Sequence, residues 1–99
     1  MAGRILQKFS GPLALNCESG TTYLTHNQSG AITFSSTRNQ QINGWALVPI
    51  VADGSAINIP SDWIKYGGDN IDITAGVTNH FMAIYTGERT YWTNKVTTP

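Results

Sequence analysis

Apolar and polar residues alternate with a period of two over several short stretches of this chain, and that period belongs to β-strands. In Ala31-Ile32-Thr33-Phe34, Ile32 and Phe34 share one face and Thr33 the other; in Ala56-Ile57-Asn58-Ile59, Ile57 and Ile59 face together and Asn58 points away. Extending the pattern predicts strands over 12–16, 21–25, 31–35, 44–51, 56–59, 71–74, 79–86 and 90–93, of which 44–51 is the longest and most apolar. Turn-forming compositions separate them: Glu18-Ser19-Gly20, Asn27 to Gly30, Thr37 to Gln41, Asp53-Gly54, Gly67 to Asn70, Ala75-Gly76 and Gly87-Glu88-Arg89. Strands this short, repeating about every ten residues, predict an all-β fold, an antiparallel β-sandwich of jelly-roll type with about eight strands. Asp53-Gly54 between strands predicts a tight hairpin, and 86–90 a second that pairs Phe81 to Tyr85 with Tyr91 and Trp92. Helix finds little room. Pro60 to Ile64 can carry one short turn capped by Ser61, and residues 1–9 can form a helical or extended arm. Residues 96–99 read as a frayed end. The organisation is an N-terminal arm or attachment segment over 1–11, then one sandwich domain over 12–99.

Composition reinforces the strands. Ten Gly, four Pro and many Thr, Asn and Ser residues are poor helix interior. With 99 residues there is room for one core, and the three Trp, four Tyr and three Phe must largely fill it. Partner subunits would cover more apolar surface. Six basic residues balance six acidic ones without a cluster, so the basic stripe of a nucleic-acid binder is missing. A chain with 12% charged residues carries about half the usual fraction. Such a surface suits sugars, a close-packed assembly, or a piece of something larger.

Candidate chemistry changes this picture little. Cys17 has no disulfide partner and reads as a small buried hydrophobe, with a nucleophile as the sharper alternative. His26, in a turn, and His80, at the start of a strand, lack metal-ligand spacing with each other or with Cys17. A Cys17–His80 pair would need the fold to bring the two together. Asp69, Asn70 and Asp72 could begin a calcium site, but that ion wants about six to eight oxygens and the spacing matches no calcium loop. Asp and Asn are also ordinary turn residues. The expectation is therefore no enzyme, no metal and no cofactor. No run of about 18 apolar residues is present to span a membrane. The first nine residues lack the apolar core and cleavage site of a signal peptide, which leads one to expect action where the protein is made, or release by lysis. The sequon Asn27-Gln28-Ser29 carries no weight without a secretory signal.

The aromatic residues are the more suggestive group. Trp63 and Tyr66 flank a loop, and Tyr85, Tyr91 and Trp92 sit at the second hairpin. Exposed Trp and Tyr rings are good platforms for sugar rings and protein partners, because they bring large area with few torsions to freeze. The plainer alternative is that Trp45, Trp63 and Trp92 simply fill the core.

The second half of the chain resembles a module recurrent in bacteriophage tail-fibre, tailspike and related virion proteins. The succession is a core strand from Gly44 to Val51, the Asp53-Gly54-Ser55 turn into Ala56 to Pro60, and Ser61 to Gly68 around Trp63. Ile71 to Gly76, then Asn79 to Tyr85 and Thr90 to Trp92, complete it. The first half, with Ala31 to Phe34, is similar to the strands that precede this module, so the likeness spans roughly residues 12–95. It implies a β-sandwich packed as a homotrimer whose threefold axis buries apolar surface. It further implies a virion component assembled in the host cytoplasm, released by lysis, joined to other virion proteins, and contacting a host glycan or protein receptor. No catalytic residues carry over: Gly54 and Gly76 look like turn positions, Trp63 and Trp92 packing positions. In those proteins the module usually ends a long fibrous chain; here the expectation is either an excised domain or a small separate protein attached to a larger shaft through residues 1–11. The alternative to a virion module is a monomeric carbohydrate-binding module using aromatic loops.

Overall fold

Three eight-residue strands carry the architecture. The computed structural model describes residues 5–7, 20–35 and 42–99, which form nine strands and no helix. In chain order these are β1 (Ile5–Gln7), β2 (Thr21–Tyr23), β3 (His26–Asn27), β4 (Ile32–Thr33), β5 (Gly44–Val51), β6 (Ile57–Asn58), β7 (Ile64–Lys65), β8 (Thr78–Tyr85) and β9 (Thr90–Thr97). Seven make one sheet in the order β1-β2-β5-β8-β9-β7, with β3 also paired to β5, while β4 and β6 form a separate ribbon. The fold is all-β, as the alternation predicts. The predicted strand over 12–16, Cys17 and the whole of the 37–41 turn lie outside the described residues.

Pairing is mixed, where antiparallel pairing was expected. β5–β8 and β8–β9 are antiparallel, but β1–β2, β2–β5, β3–β5, β4–β6 and β7–β9 are parallel. A parallel pair needs a crossover of about a dozen residues or more, and each of these pairs is joined by a segment of that length. The hairpin through Thr86 to Thr90 forms as predicted: Tyr85 faces Thr90, Ile84 faces Tyr91, and the Thr86 N–H donates to the Arg89 carbonyl at 3.0 Å. The Asp53-Gly54 turn is different. It makes no hairpin, because at Val51 both edges of β5 are already taken, by Thr78 of β8 and by Asn27 of β3. Residues 56–59 leave the sheet instead, and β6 pairs with β4.

Two further expectations change. Residues 71–74 form no strand, because a side chain takes their backbone groups: Asn79 Nδ2 donates to the Asp72 carbonyl (2.8 Å) and Asn79 Oδ1 accepts the Asp72 N–H (3.0 Å). Asn94 Nδ2 donates to the same Oδ1 at 3.1 Å, so two fully buried asparagines fix this segment. The expected frayed end is ordered as far as Thr97, which pairs with Thr78. Pro49 in mid-strand is tolerated because the β2 and β3 ladders stop on either side of it, at Leu47 and Ile50, where its missing N–H costs nothing.

The inward face follows the alternation. Ala46, Val48 and Ile50 of β5 and Phe81 and Ala83 of β8 are buried, with Tyr23 beside them. Ile32, Phe34, Ile57 and Trp63 come down onto them from the ribbon and the loop after it. Phe34 joins the two groups, its ring centroid 5.6 Å from Phe81 and 5.9 Å from Trp63. Beyond the core, Gln28 and Asp53 fasten the ribbon's two approaches. The buried Gln28 amide donates to the carbonyls of Gly30, Ser55 and Ala56, and the Asp53 carboxylate accepts the N–H groups of Gly30 (3.0 Å) and Ser55 (2.9 Å).

Two predictions follow from this packing. Phe34→Ala should cost about 3–5 kcal/mol in a denaturant titration, and a cost under about 1 kcal/mol would mean that Phe34 is not the joint. The Gly30 N–H, then the Ser55 N–H, hold the Asp53 carboxyl below its ordinary value of 3.8. A lowered carboxylate stabilises the fold above the unfolded value and loses that contribution as pH falls through the lower, folded one. Thermal stability should therefore drop below about pH 4, and Asp53→Asn should flatten the drop; Asp72, lowered by the Thr74 hydroxyl and N–H, contributes with the same sign.

Candidate functional site

The five aromatic residues singled out in the sequence divide into two sets. Trp63 belongs to the core at 8% exposure, held after a single turn in which its N–H donates to the Pro60 carbonyl at 3.1 Å. Tyr85 and Trp92 are half-buried against the same core. The Tyr85 hydroxyl donates to the Gly87 carbonyl, and the Trp92 ring stands 6.1 Å from Phe81. These three rings serve packing.

Tyr66 and Tyr91 come together on the other side of the sheet. Opposed residues of neighbouring strands share a face, and Ile84 of β8 faces Tyr91 of β9, which faces Ile64 of β7. Tyr66 follows β7 directly, and its N–H donates to the Trp92 carbonyl at 2.6 Å. The chain then turns through Gly67 and Gly68, both at positive φ. A Cβ at Gly68 would run into the Thr93 side chain and the Asn94 backbone, so glycine is what lets this turn lie flat on β9. The two tyrosine rings meet edge to face, with centroids 6.3 Å apart and an interplanar angle of 83°.

With Ile84 and Thr86 these rings line an open groove of about 470 Å³. Tyr66 is 70% exposed. Neither phenol hydroxyl has a hydrogen-bond partner among the described residues. Among the described residues, the groove lining carries no charged side chain. Lys65 is turned away, its ammonium donating to the carbonyls of Gly67 and Gly68 (both 3.2 Å) and lying 5.7 Å from the Trp92 ring. What the arrangement offers is a largely apolar corner with two phenol hydroxyls, and among the described lining residues no nucleophile has a base beside it.

Ile84 and Thr86 were not among the residues chosen from the sequence. Ile84 was within reach, because counting outward from buried Phe81 and Ala83 puts it on the opposite face. Thr86 was not, since only the hairpin geometry places it beside Tyr66.

The other candidates have structural partners. Asp69 Oδ2 accepts the Val96 N–H at 2.8 Å and lies 3.9 Å from the Lys95 ammonium, and Asp72 Oδ1 accepts the Thr74 N–H. The Asn70 carbonyl faces the Asn94 amide at 3.4 Å. Among the described residues no group of three His, Cys, Asp or Glu side chains is placed to hold a metal ion. His80 Nε2 shares a hydrogen bond with the Thr97 hydroxyl at 3.0 Å, and His26 lies in β3 where a turn was expected.

The division between packing and surface rings is directly measurable. Trp63→Ala should cost about 3–5 kcal/mol of stability and Tyr66→Ala less than about 0.5 kcal/mol, both read by denaturant unfolding; equal costs would contradict it. No protein-family model matches this chain, and no curated protein or solved structure matches it either.

Proposed function

We propose that this chain is a structural module of a bacteriophage tail or fibre, a homotrimer in the virion, that presents a surface for a host receptor. On this reading the β4–β6 ribbon is the second layer of a jelly-roll-type sandwich over the large sheet, and the protein is assembled in the host cytoplasm and released by lysis. It makes contacts and carries out no reaction.

The observation that supports assembly is the face of the large sheet turned away from the core. Trp45 and Leu47 of β5 stand opposite Ile84 and Met82 of β8, and all four are only half-buried. Among the described strand residues of that face the charged one is Lys95 of β9, one row beyond Thr93. Apolar, nearly uncharged faces of this kind mark contacts between proteins. A chain with no net charge meets no overall electrostatic resistance to gathering copies of itself. The Tyr66–Tyr91 groove lies at the far side of the same face, toward β7, and is the place for a receptor.

A monomeric carbohydrate-binding module is the second reading, favoured by the groove alone. Molar mass separates the two. Light scattering after size-exclusion chromatography should give three times 10.8 kDa, with Leu47→Glu and Met82→Glu shifting the protein toward monomer. A monomer at every accessible concentration would remove the assembly reading and leave the second one.

A further inference from the structure

We infer that the Tyr66–Tyr91 groove takes an uncharged saccharide, one of whose sugar rings lies against the Tyr66 face. This rests on reading the chain as a module that presents a contact surface. Three features of the groove select the ligand class.

The first is shape. Two rings at 83° make a nearly right-angled corner walled by aromatic surface. A pyranose ring matches such a corner, because one of its faces is a patch of C–H bonds and its rim is hydroxyl groups. The C–H patch is weakly positive and settles on the negative face of an aromatic ring. A groove of about 470 Å³ falls within the usual span for small-ligand sites, about 300–1,000 Å³, and accommodates a short oligosaccharide better than a long polymer.

The second feature is polar inventory. The hydroxyls of Tyr66 and Tyr91 are unpartnered within the described residues, and each can both donate and accept. Sugar hydroxyls need partners of that kind. A purely apolar ligand, such as an acyl chain, would leave the Tyr91 hydroxyl to lose its water without replacement, which carries a cost.

Charge is the third. Acidic sugars are held by cations, and the described residues that line the groove supply none. Lys65 of β7 is committed to two carbonyls and an indole, and Lys95 of β9 lies 3.9 Å from the Asp69 carboxylate. The Thr86 hydroxyl is also engaged, donating to the Arg89 carbonyl at 3.2 Å, so Thr86 contributes mainly its methyl group to the wall. An uronic or sialic acid would find no cation among the described lining residues to neutralise it.

Saturation-transfer NMR on the full chain tests this with named probes: lactose, maltose, cellobiose and N,N′-diacetylchitobiose as neutral ligands, and sialyllactose and a digalacturonate as acidic ones. At least one neutral disaccharide should bind with a dissociation constant of about 1 mM or tighter, with saturation concentrated on the C–H protons of one ring face. Tyr66→Ala should weaken it by about tenfold or more, and Tyr66→Phe, which keeps the ring, should stay within about threefold of wild type. Because Tyr66 is mostly exposed, both variants should unfold at the wild-type denaturant concentration, which makes a loss of binding a local effect. No neutral probe binding at about 10 mM, acidic probes binding more tightly, or binding indifferent to Tyr66→Ala would each overturn the inference. A drop in molar mass in Tyr66→Ala would also overturn it, by giving the groove to a neighbouring copy. Failure here with the trimer intact would leave the assembly reading standing, and a monomer that binds the sugar would do the reverse.

Discussion

Phe34 is the side chain through which two separately paired pieces of chain become one body. The β4–β6 ribbon has no backbone ladder to the large sheet, and what unites them is burial. Phe34, at 2% exposure, sits between Phe81 of the sheet and Trp63 of the loop beyond the ribbon. Fully burying a residue of this size is worth about 1.5–3 kcal/mol, and aromatic contacts at these separations add about 0.5–1.5 kcal/mol each. Because Trp63 is drawn inward at this joint, the residues after it are delivered to the sheet's margin. β7 then pairs with β9, and Tyr66 is left on the opposite face beside Tyr91. The groove exists because a neighbouring ring is buried.

Polar side chains complete what the core begins. Gln28 and Asp53 tie the loop before β4 to the loop before β6, across 25 residues of sequence, while Asn79 and Asn94 hold 69–74 against β8 and β9. These are side-chain-to-backbone bonds that replace ladders where the chain leaves the sheet. The Asn94 Oδ1 is buried without a hydrogen-bond partner among the described residues.

Local alternation made much of this legible. The period of two at Ile32/Phe34 and at Ile57/Ile59 marked residues that turn to the core, and the hairpin at Thr86 to Thr90 could be read with its partners. What local pattern does not contain is competition for edges. Asp53-Gly54 has the composition of a hairpin turn, yet β3 and β8 occupy both sides of Val51, and nothing near Asp53 in sequence says so. Likewise Ile71-Asp72-Ile73-Thr74 alternates like a strand but is bound by Asn79, whose role is visible only once β8 is in place. For the site, composition found the tyrosines but could not separate Tyr66 from Trp63, three residues away. The two differ in which side of one turn they fall on, and that is decided by Phe34.

The bond from the Val96 N–H to Asp69 Oδ2 has a consequence for how copies of this protein can meet. Strand β9 is the last long strand on its side of the sheet, and an outermost strand ordinarily offers its unpaired amides and carbonyls to any passing extended chain. Here the Trp92 carbonyl is taken by Tyr66, the Asn94 carbonyl by the Asp69 N–H, and the Val96 amide by the Asp69 carboxylate. A negative charge standing where a neighbouring strand would lie repels recruitment as well as occupying the donor. On that margin the sheet is sealed against being continued from molecule to molecule, so fibrous stacking by strand addition is blocked there.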